Sequence, residues 1–162
     1  GRVRRMPVGP ALSASVRAVG TLMAAARDPW WIISSAAVAL HGADAGEVAD
    51  VDVLLSEADA QAILPGIGIE CRPGPAHPTF RSGIFATWTG TALPVEFMAG
   101  FCHFSGGTWV PVQPVTRKPV DVGGARVFIP ERAELHAMLT GFGRPKDLVR
   151  ARSLAADRDR PA

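Results

Sequence analysis

The sequence predicts an α/β (α+β) fold, a mixed β-sheet with helices at both ends of the chain. Three observations lead there. Apolar residues recur at helical spacing near the N-terminus, short apolar or alternating segments bounded by Gly and Pro fill the middle, and two Pro-initiated helical segments close the chain. A length of 162 residues and an apolar share of 48% suffice for one domain with a substantial core. The expectation is one domain over 1–162, with an N-terminal helix within 1–28, a core over 29–130 and C-terminal helices over 131–156.

Each element has its own justification. Residues 11–27 place Leu12, Val16, Val19, Leu22 and Met23 at helical spacing, and Asp28-Pro29 ends the helix because proline disfavours helical geometry in the residue before it. Residues 30–33 are a short apolar strand. After Ser34-Ser35, residues 36–41 form a small-residue helix closed by Gly42. Residues 51–55 are the next strand, and Ser56 is a natural N-cap for a helix over 58–64. Residues 67–71 read as a strand, and 80–88 and 93–98 as two more joined by Thr89-Gly90-Thr91. Residues 100–124 are rich in Gly and Pro, with a hairpin turn at Gly123-Gly124 leading into 126–129. Pro130 opens a helix through Thr140, and Pro145 starts the last one through Ala155.

The net charge of +2 conceals a division. Residues 1–27 contain five arginines and no acid, 144–162 carry a smaller basic excess, and the middle has twelve acids against six basic residues. An acidic centre between basic ends is a place for cations and anionic ligands to meet. No apolar stretch is long enough to span a bilayer, so no membrane partner is expected, and Arg17 interrupts what could pass for a secretory signal. With only Cys71 and Cys102, a disulfide framework is excluded and a reducing cytoplasm is the expected location. No basic stripe interleaved with aromatics is present, which argues against a nucleic-acid partner.

The chemistry concentrates in residues 30–56 and 93–98. Asp50 and Asp52, two apart at a strand entry, project from one face. Such a pair repels unless a cation sits between the carboxylates, and oxygen donors of this kind suit Mg²⁺; the competing reading is a solvated strand end. Upstream, a buried strand runs through Ser34-Ser35 straight into a helix, a geometry that gathers hydroxyls and unpaired N–H groups at one point and attracts anions. Downstream, Glu96 stands alone between Val95 and Phe97, where an acid is costly to bury without a partner. Other residues carry less. Cys71, His77, Cys102 and His103 lack the spacing of a zinc site, His41 and His136 read as structural, and Ser34-Ser35 lacks the glycine-flanked elbow of a hydrolase nucleophile.

In this order, Ile32-Ile33-Ser34-Ser35, Asp50-Val51-Asp52 and Val95-Glu96-Phe97 resemble the nucleotidyltransferase superfamily that shares its catalytic core with DNA polymerase β. The likeness is to its small bacterial members, of the aminoglycoside-nucleotidyltransferase-like and minimal types. Gly143-Arg144-Pro145-Lys146-Asp147-Leu148 is similar to a segment that closes many of these proteins, and the resemblance covers residues 28–155. One departure is plain: Ser34-Ser35 stand where the family has one or two glycines. The resemblance implies a nucleotidyltransferase core in which Asp50, Asp52 and Glu96 hold two Mg²⁺ ions and act in catalysis. It also implies that Ser34, Ser35 and Lys146 contact the triphosphate of an NTP such as ATP. The reaction implied is transfer of a nucleoside monophosphate to a hydroxyl of a small molecule or protein. A second reading is a nucleotidyltransferase-fold module without turnover that acts by binding, such as a toxin-neutralising partner. A third, a metal-dependent nuclease, lacks a basic groove in the sequence. A chain this short leaves little room for an acceptor domain, so a homodimer or partner protein is a further expectation.

Overall fold

The computed structural model describes residues 8–158; the cluster Arg2, Arg4 and Arg5, and Asp159 with Arg160, lie outside the described residues. Helix α1 (Pro10–Met23) buries Leu12, Val16, Val19 and Met23 and has proline in its first turn. It ends at Met23 rather than at residue 27, because the backbone N–H groups of Arg27 and Asp28 donate to the buried Asp59 carboxylate at 3.0 and 2.9 Å. Strand β1 (Trp31–Ile33) leads directly into α2 (Ser34–Leu40), which begins at Ser34 rather than at Ala36. Strand β2 (Val51–Leu55) is followed by α3 (Glu57–Ile63), whose N-cap Ser56 accepts from the Asp59 N–H at 3.0 Å as expected.

Two expectations about strands fail. Residues 67–71 are not a strand: Leu64–Ile67 form a 3-10 turn and Gly68 turns the chain at φ 78°. Pro65 brings no N–H to a ladder, and a single bridge from Arg72 to Phe85 ties the following stretch to the sheet. Nor is 80–88 one strand. It divides into β3 (Phe80–Arg81) and β4 (Ile84–Trp88), because Gly83 passes so close to the Glu57 carboxylate that a Cβ would collide with it. Strand β5 (Val95–Ala99) follows.

The Gly/Pro-rich stretch contains a hairpin without a clear signal in the local sequence, β6 (Cys102–Ser105) and β7 (Thr108–Pro111), which β3 joins as a third strand. The hairpin expected at Gly123-Gly124 is present, joining β8 (Lys118–Val122) to β9 (Ala125–Ile129). Helices α4 (Arg132–Phe142) and α5 (Pro145–Arg158) close the chain, with Gly143 at φ 72° between them.

The main sheet has the order β1-β2-β5-β4, with β2 and β5 parallel and the outer pairs antiparallel. Alternation divides its residues between two faces. Val51, Val53, Val95 and Phe97 are fully buried in the large core that includes α1, α2 and α3 residues. The opposite face carries a smaller cluster of Trp31, Ile33, Leu54 and Met98.

Candidate active site

Asp52 pairs in register with Glu96 across the parallel β2–β5 ladder and with Ile33 across β1–β2. Parallel neighbours in register point to the same face, and Asp50 stands two residues before Asp52, so strand pairing itself brings three carboxyl groups together. One oxygen from each of Asp50, Asp52 and Glu96 lies within 4.8 Å of the others, and all three residues are half-buried. Among the described residues this is the only cluster of three or more His, Cys, Asp or Glu side chains with that proximity.

Crowding shows in the acidity. Burial, and then the charges of Asp50 and Glu96, push the Asp52 carboxyl up to about 7, with Arg144 and Lys146 acting the other way. Glu96 is also raised, first by burial and then by Asp50, through its charge and a shared hydrogen bond; Lys146 opposes this. These groups titrate as a coupled set. The donor set fits a divalent cation: three clustered oxygens with no full protein cage leave positions for water and phosphate, the arrangement Mg²⁺ favours.

A cleft of about 240 Å³ opens over Asp52 and Glu96. Both serines are buried; Ser34 lines the cleft beside the two acids and Ser35 does not. Ser34 has φ 58°, the only positive φ at a non-glycine among the described residues. Left-handed backbone is the conformation glycine adopts readily and serine does not. The turn therefore keeps a glycine-type backbone although it carries a Cβ.

The other wall comes from the C-terminal turn. Arg144 lines the cleft and is held on its far side by Asp147, which is fully buried and accepts from Arg144 Nε at 2.6 Å and Nη2 at 3.1 Å. The same carboxylate also accepts from the Arg144 backbone N–H at 3.3 Å, across the first turn of α5. The Arg144 guanidinium lies 5.0 Å from the centre of the Phe80 ring. Phe80 stacks on Phe101 at 5.6 Å and meets the edge of Phe142 at 5.3 Å, making an aromatic flank beside the acids.

Lys146, expected from sequence to face phosphate, is exposed and outside the cleft lining, although its charge acts on both Asp52 and Glu96. Arg144, with Arg81 from β3, is a cation that lines the cleft. Its signal was present in the sequence as a neighbour of Lys146, but only the bond to Asp147 reveals which of the two turns inward. His41 is structural as expected: its buried Nε2–H donates to the Pro130 carbonyl at 2.8 Å, and burial lowers its pKa.

No protein-family model and no curated protein matches the sequence. Solved structures do match in three dimensions. A putative nucleotidyltransferase from Thermotoga maritima is 20% identical, with TM-score 0.64 over 88% of this chain and 91% of that one. The lincosamide antibiotic adenylyltransferase LnuA, solved with lincomycin bound, is 12% identical, with TM-score 0.57 over 88% of this chain and 96% of that one. ANT(2")-Ia in complex with adenylyl-2"-tobramycin is 14% identical, with TM-score 0.52 over 88% of each chain. At these identities the likeness is one of fold. The chain has the nucleotidyltransferase fold, as the resemblance implied.

Proposed function

We propose that the chain is a nucleotidyltransferase that moves a nucleoside monophosphate from an NTP to the hydroxyl of an acceptor, with Mg²⁺ as its metal. The observation that carries the reading is the convergence of Asp50, Asp52 and Glu96, the last two lining a cleft that Arg144 also lines. Asp50, Asp52 and Glu96 would hold up to two Mg²⁺ ions. Bound there, the metal supplies positive charge that relieves the carboxylate repulsion and polarises phosphate oxygens.

The chain's own residues account for the rest. Ser34 and the backbone at the start of α2 receive the triphosphate, whereas Ser35, expected from sequence to share that contact, lies outside the cleft lining, and Arg144 adds a fixed guanidinium suited to bidentate contact with phosphate oxygens. Lys146 contributes a longer-range charge. Glu96, whose proton affinity is raised, takes the proton of the acceptor hydroxyl as its oxygen forms a bond to the α-phosphorus. The bond from that phosphorus to pyrophosphate breaks, and the leaving charge remains within reach of the Arg144 guanidinium. The antibiotic adenylyltransferases sharing the fold support a small-molecule acceptor. A binding module without turnover is the second reading, and the Ser34 Cβ favours it, since a side chain at a left-handed turn limits how near phosphate can approach the backbone.

Thermal unfolding with ATP, GTP, CTP and UTP, each with and without Mg²⁺, separates the two. At a hundredfold excess over Kd, one nucleotide is expected to raise Tm by ~5–10 °C only with metal, and Asp52→Ala to abolish the gain. No response to any nucleotide would sink the transferase reading.

A further inference from the structure

Arg17 of α1 lies beside basic residues from the far end of the chain, a proximity that the sequence does not display. Helix α1 and the β8–β9 hairpin enclose a groove of about 570 Å³, which is larger than the cleft over the acids and shares no lining residue with it. Three arginines from distant parts of the chain line this groove: Arg17 from α1, Arg117 before β8 and Arg126 on β9. Arg126 is paired with Asp121 at 3.1 Å, whereas neither Arg17 nor Arg117 meets a carboxylate among the described residues. The one acid in the lining, Asp28, accepts a hydrogen bond from Ser56 Oγ at 2.7 Å.

Arg117 is held in place. Its guanidinium carbon lies over Phe128, 3.3 Å from the ring centre, and Nε donates to the Trp30 carbonyl at 3.4 Å. Phe128 is braced in turn by Trp30, edge-on at 5.5 Å. Although Arg117 is exposed, partial burial of its guanidinium against the ring lowers its pKa, a cost that a nearby anion offsets. Arg17 runs across the turn at Gly123, where a Cβ would meet its side chain at 2.9 Å, so glycine there leaves the arginine its path.

We propose that this groove binds a small phosphate ester, with Arg17 and Arg117 as its principal anion contacts. Its volume falls in the range of small-molecule sites. A phosphate monoester carries close to two negative charges, which matches the two unpaired guanidinium groups. The site is independent of the nucleotide reading, because none of its residues lies in the carboxylate cleft.

Amide NMR of the full chain, titrated with phenyl phosphate in metal-free buffer at constant ionic strength, tests it. The expected result is saturable shifts at Gly20, Gly123, Gly124 and the Trp30 indole. Binding should weaken about tenfold or more in Arg17→Met/Arg117→Met, where the apolar stem still covers Phe128, and stay unchanged in Asp52→Asn. Arg17→Met alone alters only an exposed helix position and is expected to weaken binding measurably if the double variant folds poorly. Absence of shifts in the groove, equal shifts in the arginine variants, or shifts confined to the cleft around Ser34 would each overturn the proposal.

Discussion

The two faces of the main sheet are built from the same strands and do opposite work. On one face Val51, Val53, Val95 and Phe97 are fully removed from water. On the other, one residue along in each strand, Asp52 and Glu96 face a cleft and repel each other. The second face is divided again, since Leu54 and Met98, two residues further along the strands, join Trp31 and Ile33 in a small apolar cluster. A period of two thus places stability and chemistry on neighbouring residues. The well-packed face holds in register a face that is electrostatically unfavourable when empty of cations.

That contrast predicts substitutions of opposite sign. The largest effect belongs to the packed face. Phe97→Ala empties the largest fully buried side-chain site and is expected to cost about 3–5 kcal/mol, read as a lower midpoint in urea unfolding. A cost below about 1 kcal/mol would mean that this face is not the source of stability.

On the acidic face, removing charge should help. Because the folded state raises the Asp52 pKa to about 7 from an ordinary carboxylate value, the folded chain binds more protons than the unfolded one between about pH 4 and 7. Its contribution to stability is present below that window and is lost as pH rises through 7. Asp52→Asn should therefore stabilise the metal-free protein at pH 8 by up to about 4 kcal/mol, with little effect at pH 4. Equal effects at both pH values would contradict the account.

The smallest effect concerns the turn at the edge of the cleft. Ser34→Gly removes the left-handed strain at φ 58° but adds chain entropy to the unfolded state, so a net gain of at most about 1 kcal/mol is expected. Calorimetric melting measures it, and a loss of stability would show that the serine side chain is needed there.

Much of this was readable in advance. The alternation in Val51-Asp52-Val53 and Val95-Glu96-Phe97 marks one apolar and one polar face, and the order of these motifs, with Asp50 beside the first, carried the resemblance that named the three acids. What local pattern does not contain is partnership. Residues 67–71 alternate like a strand, yet a Pro-Gly turn and a left-handed Gly68 remove the backbone from the ladder. Phe80 and Trp88 sit in one apolar run, yet the close approach of Glu57 to Gly83 divides it between two sheets. Arg144 entered the cleft unannounced because its orientation is set by a buried carboxylate and an aromatic ring from another part of the chain. The three-arginine groove is invisible in sequence for the same reason, since α1 and the β8–β9 hairpin meet only in the fold.

The central claim is that Asp50, Asp52 and Glu96 form one divalent-cation site. Titration with Mn²⁺, followed by paramagnetic broadening of amide resonances, tests it without any nucleotide or acceptor. The account predicts saturable broadening centred on Asp50, Asp52, Glu96 and Ser34, stronger at pH 8 than at pH 6, and abolished in Asp52→Asn. Absent broadening at these residues, or broadening that survives the substitution unchanged, would contradict it.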